Sequence, residues 1–505
     1  MRLALIFLFT ATCLNAQRTV GLIAYDTAAC SKGYTLFAPV INGAPTYLID
    51  NHGQVVHSWP SELPPGLAVM LLEDGSLLRT EAPSSQAMGG GGAGGIVKKI
   101  SWDGVVTWLY EHYGPTYRAH HDVEILPNGN VLLLVWESHS VAEALAAGRL
   151  PERLIDNSLW SERVIEVKPT GPTTGEVVWS WNTWDNLVQD INPEMANYGV
   201  VKEHPERINI DCGGNRADWL HANSVRYNPI RDEVLISFDN INEFVIVSRA
   251  SGKIVYRWGN PKNYASGLDE QQRLWGQHDV RWVPGNWNSV TLFHNGLGRP
   301  NGFASSVEMI ELPVNSDGTY RKNRDQPFEP TESAILCPEN LSIDFFAQNI
   351  SGATVLPNGN ILTCIGPSGV FVEFAPDKRE VWRYVNPVSM TGIVQQGTEP
   401  RFNMVFKINR YPLDYPAFAG KALAPQGCIE ESPLSVHDQP LKQGWLVSID
   451  PANRRAVVDV TTEGHYTITA YDVLGCRLDV VVDAFLAVGR HVLSIPQGTI
   501  ALVRE

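Results

Sequence analysis

His120-His121-Asp122-Val123-Glu124-Ile125-Leu126-Pro127-Asn128-Gly129-Asn130-Val131-Leu132-Leu133-Leu134 reads as a β-hairpin. Val123, Ile125, Leu132 and Leu134 flank a Pro-Asn-Gly turn, and Asn-Gly supplies the positive φ angles of a tight reversal. The sentence recurs at 69–78, 224–238, 279–293 and 352–362. Between these copies lie hairpins of a second kind that close on an aromatic residue. Examples are Val55-Val56-His57-Ser58-Trp59, Val177-Val178-Trp179-Ser180-Trp181 and Ile254-Val255-Tyr256-Arg257-Trp258. Five inner hairpins alternate with outer ones, and a sixth assembles from 403–408 with the N-terminal strands at 34–59. Four strands per unit, closed by the N-terminus joining the last unit, predict an all-β, six-bladed β-propeller. The copies are irregular, so five or seven blades fit the same rhythm.

Composition agrees. Of 505 residues, 18% are charged, with 43 Gly, 33 Pro and 15 Trp, a turn-rich balance. A net charge of −15 with no basic run argues against nucleic acid as a partner. Met1-Arg2, the apolar stretch 3–14 and Ala16 read as a signal peptide over 1–16. No other apolar run is long enough to span a bilayer. The expectation is an exported protein: periplasmic, at the cell surface or secreted. Cys30, Cys212, Cys337, Cys364, Cys428 and Cys476 remain after cleavage, without CxxC spacing, and read as buried thiols plus one or two bridges.

The propeller is expected over 17–429. Its insertions are a glycine loop at 89–95, a short helix in 141–150 and a long excursion at 184–212. The glycine loop lacks the strand-to-helix grammar of a phosphate loop. Alternating strands at 445–450, 455–460, 465–472, 491–495 and 501–503 predict a small C-terminal β-sandwich over 430–505.

Aligning the inner hairpins on their turns places candidate chemistry. With Pro127 on Pro284, His121-Asp122 falls on His278-Asp279. The same slot is Ser351 in the fifth copy, Leu67 in the first, and Asn223 in the third, with His221 on the same face. These side chains should ring one mouth of the channel, with His120 before them and His294, Asn295 and Arg299 after the fourth hairpin. Such a ring suits either metal binding or catalysis on an anion. No partnered His/Asp/Glu set has metal spacing, and no cofactor motif is present. The His-Asp pairs read as orientation pairs.

Asp218-Trp219-Leu220-His221-Ala222-Asn223-Ser224, Trp275-Gly276-Gln277-His278-Asp279 and the Asn295-Gly296…Arg299 turn resemble the signature segments of the aryl-sulfate sulfotransferases. The resemblance spans about 33–425 and implies an exported six-bladed propeller. It implies sulfuryl transfer from a phenolic sulfate donor to a phenol acceptor through a sulfo-histidine, without a nucleotide donor. Matched by motif, His221, His278 and Arg299 are catalytic, Arg299 holding the sulfate. His121 joins them by geometry, with His120, Asn223, Asn295 and Ser351 as substrate-binding candidates. One departure stands out. The family's covalent histidine follows that arginine, and this chain has no histidine between His294 and His437. Other readings are a non-catalytic propeller that binds sulfated, aromatic or glycan ligands, and a quinoprotein dehydrogenase, which lacks its vicinal cysteines here. The stretch 464–475 with 498–503 is similar to type A sorting domains of the type IX secretion route, implying outer-membrane secretion machinery as a partner.

Overall fold

The computed structural model describes residues 18–84, 87–300, 302–323, 326–338, 345–430, 445–450, 454–460, 463–471, 477–496 and 501–504. The leader at 1–16 and Cys476 lie outside them. The chain divides into two units, Met1–Glu430 and Glu431–Glu505.

The first unit is a propeller of six antiparallel sheets. The innermost strands of blades 1 to 5 are Pro65–Leu71, Tyr117–Ile125, Ala222–Asn228, Gln277–Val283 and Gly352–Val355. Each is followed outward by three more strands, ending at Val106–Glu111, Thr174–Asn182, Ile254–Trp258, Ala334–Cys337 and Glu380–Val385. Blade 6 joins the two ends of the unit. Asn409–Tyr411 is its inner strand, and Tyr34–Phe37, Thr46–Ile49 and Val55–Trp59 complete it. The quoted hairpin is present as read, with Gly129 at φ 82° and its N–H on the Leu126 carbonyl at 2.9 Å.

Two details depart from the sequence reading. The inner strand of blade 6 begins at Asn409, not in 403–408. Residues 403–408 instead cross from blade 5. Asn403 and Asn386 exchange side-chain to backbone hydrogen bonds at 2.9 Å, and Ser351 N–H reaches the Phe406 carbonyl at 3.0 Å. An additional strand, Gly21–Tyr25, pairs with the outer edge of blade 5.

Apolar side chains fill the gaps between neighbouring sheets. Leu132 and Leu134 of blade 2 pack with Val225 and Ile236 of blade 3, and Leu235 and Ile246 of blade 3 with Leu292 and Ile310 of blade 4. The outer-strand tryptophans add a repeated clasp. Indole N–H groups of Trp59, Trp108, Trp181, Trp258 and Trp382 donate to the carbonyls of Ser101, Thr174, Gly252, Pro330 and Asn51, at 2.7–3.1 Å. A tryptophan here buries a large ring and still satisfies its one polar atom on the next blade.

The short helix is Val141–Ala146, capped by Ser140 and Glu143. Among the described residues no helix is long and apolar enough to cross a membrane. The five described cysteines are all free thiols, so the bridges expected from the exported context are absent among them.

The second unit is a sandwich of two three-stranded sheets. One holds Trp445–Asp450, Arg455–Val460 and Gly489–Ser494; the other holds Arg477–Leu486, Gly464–Tyr471 and Ala501–Arg504. Ala456, Val458, Tyr466, Ile468 and Ala470 form its core. Arg477–Leu486 is a strand the sequence reading lacked. Residues 472–475 and 498–500 of the sorting-domain resemblance lie outside the described residues.

Candidate active site

Inner strands start at one end of the propeller and turn at the other. The turn ends line a cavity of about 1150 Å³ whose walls include Asp74, Pro127, Pro284 and Pro357. The histidines are not there. They sit at the opposite ends of the same strands, where the backbone leaves regular pleating. His121, Asp279, Ser351 and Leu67 have φ between 49° and 86°, as does His221 just before its strand at φ 55°. Left-handed backbone at non-glycine residues costs free energy and gathers at functional sites.

His120, His121 and His221 form one cluster, with His278 beside it. His121 and His221 meet edge to face with ring centroids 4.6 Å apart. His120 stacks on Trp136 at 4.1 Å. Its Nδ1 is 2.8 Å from Nδ1 of His121, and its Nε2 is 2.9 Å from Glu162 Oε2. His221 Nδ1 donates to Asp218 Oδ2 at 2.5 Å. His278 Nδ1 donates to Asn295 Oδ1 at 2.8 Å. The Asn295 amide orientation is fixed, because its Nδ2 donates to the carbonyls of Ala347 and Ile350.

These partners set the protonation states. Burial, with the charge of His221, holds His121 well below the ordinary imidazole range. Burial also lowers His278, and pushes His120 down to about 3. Burial opposes charge on His221 as well, but the Asp218 carboxylate outweighs it, raising His221 to about 9. The site therefore presents neutral imidazoles against one imidazolium.

The glycine loop covers this cluster. His121 N–H donates to the Gly92 carbonyl at 2.8 Å, and a Cβ on Gly92 would fall 2.1 Å from His121 Cε1. Arg118 holds the loop by donating to the carbonyls of Gly94 and Ala87, each at 2.9 Å. Here glycine serves close backbone approach.

Other sequence candidates are placed differently. Arg299 donates to Glu308 at 2.8 Å and Ser306 at 2.6 Å, beside His294, whose Nδ1 also meets Glu308 at 2.8 Å. Asn223 is buried and donates to the Gln277 carbonyl at 2.6 Å, joining blades 3 and 4. Ser351 Oγ accepts from Gly366 N–H at 2.9 Å. Asp122 and Asp279 do not orient the histidines that precede them. They turn into the channel, where Asp122 meets Lys407 at 2.5 Å and Arg226 at 2.7 Å, and Asp279 meets Arg281 at 2.5 Å and Arg226 at 3.1 Å.

The sequence reading missed Glu162, Trp136 and the role of Asp218. Asp218 was legible as the carboxylate three residues before His221. Glu162 carried no local signal, being 42 residues from His120.

Among solved structures, the chain is similar to a protein of unknown function from Bacteroides caccae, at 12% identity over 75% of this chain and 99% of that one, with TM-score 0.41. It is also similar to the periplasmic gluconolactonase of Pseudomonas aeruginosa, at 12% identity over 92% and 99%, with TM-score 0.36. Likeness that loose carries nothing about chemistry. A search of curated proteins finds no match. The arylsulfotransferase (ASST) family model matches residues 40–316, more than half of the chain, and with His120, His121, His221, His278 and Arg299 all inside that span the chain belongs to the arylsulfotransferase family.

Proposed function

We propose that this protein is an exported aryl sulfotransferase that moves a sulfuryl group between phenols through a histidine intermediate. The observation that carries the proposal is the packing of His121 edge to face on His221 at 4.6 Å, with His221 held by Asp218 and His278 by Asn295; burial favours neutral His121 and His278, and Asp218 favours a charged His221. No described side chain or backbone group hydrogen-bonds Nε2 of any of these three. A neutral imidazole has the lone pair to attack sulfur, and an imidazolium has the proton that a departing phenolate needs. In the second half-reaction the neutral His221 left behind accepts the proton of the acceptor phenol.

The sulfonate oxygens need donors, and Arg299 Nη2 is shared among Glu308, Ser306 and His294. His221 Nε2–H is the charged donor within the cluster. This arrangement supports histidine-centred transfer without the downstream histidine of the family pattern. The signal-peptide reading of 1–16, and the likeness of 464–475 and 498–503 to sorting domains, support passage across both membranes of a cell envelope through dedicated secretion machinery.

The test is incubation with p-nitrophenyl sulfate and a phenol acceptor. Nitrophenol release that depends on acceptor, and that disappears in His121→Ala or His221→Ala, is the expected result. Retained binding of sulfated phenols with no turnover assigns the protein to ligand binding instead.

A further inference from the structure

We infer that Glu162 and His120 form a proton relay that makes His121 the sulfuryl-accepting nucleophile. The inference rests on the transferase reading above and deepens it. Glu162 comes from the third strand of blade 2 and is 2% exposed; His120 is 3% exposed. One Glu162 oxygen accepts from Ala222 N–H at 2.7 Å, and the other faces His120 Nε2 at 2.9 Å. The His120 Nδ1 to His121 Nδ1 contact, 2.8 Å, completes the chain. When Glu162 is ionised, His120 donates to it through Nε2–H and accepts at Nδ1 from His121 Nδ1–H. That tautomer leaves the lone pair on His121 Nε2.

His278 differs in one respect. Its Nδ1–H ends on the Asn295 amide, which cannot take a proton. A sulfuryl group on His278 would leave a cationic ring in a buried site. On His121, the same charge can pass to a carboxylate.

The step balances. His121 Nε2 forms the N–S bond as the S–O bond to the aryl group breaks. The aryl oxygen leaves with the electron pair and takes the Nε2 proton of His221. The His121 Nδ1 proton moves to His120 Nδ1, and the His120 Nε2 proton moves to Glu162. Net charge is unchanged: one imidazolium and one carboxylate are discharged together. When the acceptor oxygen attacks sulfur, the electron pair returns to His121 Nε2 and both protons run back. The titratable and charged groups that face this chain are Asp218 and His221 on Glu162 and on His120, and His221, His278 and Lys407 on His121. Burial and Asp218 raise Glu162 well above the carboxylate range, so the ionised form that starts the relay gains population as pH rises, and the acceptor-free burst should grow with pH until His221 loses its proton.

Glu162→Gln separates this relay from a packing role. Its amide oxygen stays on Ala222 N–H, so its NH₂ faces His120 Nε2 and locks a proton on His121 Nε2. His120→Phe cuts the chain while keeping a ring on Trp136. Each variant should lose about 100-fold or more in the acceptor-free nitrophenol burst with little change in donor KM. Peptide mass spectrometry of wild-type protein, treated with p-nitrophenyl sulfate without acceptor, should place SO₃ on His121. SO₃ on His278 or His221, or a Glu162→Gln burst with wild-type rate and pH profile, overturns the relay and leaves the transferase standing. No burst and no adduct in wild-type protein overturns both. The wild-type adduct map decides the nucleophile even where a variant does not fold.

Discussion

Gly92 shows how narrowly the site is built around single residues. Its φ of +84° and the 2.1 Å approach of any Cβ to His121 mean that Gly92→Ala must move the ring or the loop. The expected outcome is a destabilisation of about 1 kcal/mol and a loss of nitrophenol release at least tenfold, read by chemical denaturation and by turnover. His221 gives a pH prediction. Its folded value of about 9 lies above the ordinary 6.5, so its protonation stabilises the fold. That contribution is complete below about 6.5 and disappears as pH rises through about 9. In Asp218→Asn the melting-temperature deficit should therefore be largest at low pH and shrink on the alkaline side. The alkaline limb of donor turnover should shift downward in the same variant.

At the scale of elements, the outer strands were readable because a Val-Val-x-x-Trp rhythm has two consequences at once. It buries a sheet face, and it gives the indole a carbonyl on the neighbouring blade. Trp382, fully buried, reaches the Asn51 carbonyl at 2.8 Å and so ties blade 5 to the N-terminal strands of blade 6. Trp382→Phe keeps the ring but leaves that carbonyl unpaired, at an expected cost of about 1–3 kcal/mol in denaturant unfolding. The inner strands were legible as hairpins, not in the detail that matters for chemistry. Bulges near His121 and His278 break the period of two, so alignment by turn spacing brought Asn223 to the slot where the structure uses His221. Gly21–Tyr25 and Arg477–Leu486 were not picked out, since a strand at a sheet edge needs only half of a repeat.

Across the whole molecule, the channel is filled by charge. Lys407, arriving from the crossing between blades 5 and 6, meets Asp122 of blade 2 at 2.5 Å and Asp279 of blade 4 at 3.8 Å. Arg226 of blade 3 bridges the same two carboxylates. Both aspartates follow site histidines directly, so the network anchors His121 and His278 from beneath. Lys407→Met removes one cation from a buried set and should destabilise the propeller by about 3–5 kcal/mol. The check is denaturant unfolding, alongside a donor KM that rises more than in Trp382→Phe. A variant as stable as wild type would detach this network from the stability of the fold.

The sequence by itself determined the blade rhythm, the closure by the N-terminus, the second β unit and the family, because these depend on local periodicity, turn chemistry and short motifs. It also singled out His221 and His278 as candidates, since they sit in such motifs. Only the tertiary structure decided which groups face one another. Glu162 meets His120 across 42 residues, and Lys407 meets Asp122 across 285. The first arises when the strands of blade 2 pair and the second when the blades close around an axis, and no spacing along the chain encodes either. Folding within blade 4 gave Arg299 to Glu308, and strand pairing within blade 2 set His120 between His121 and the Glu162 carboxylate.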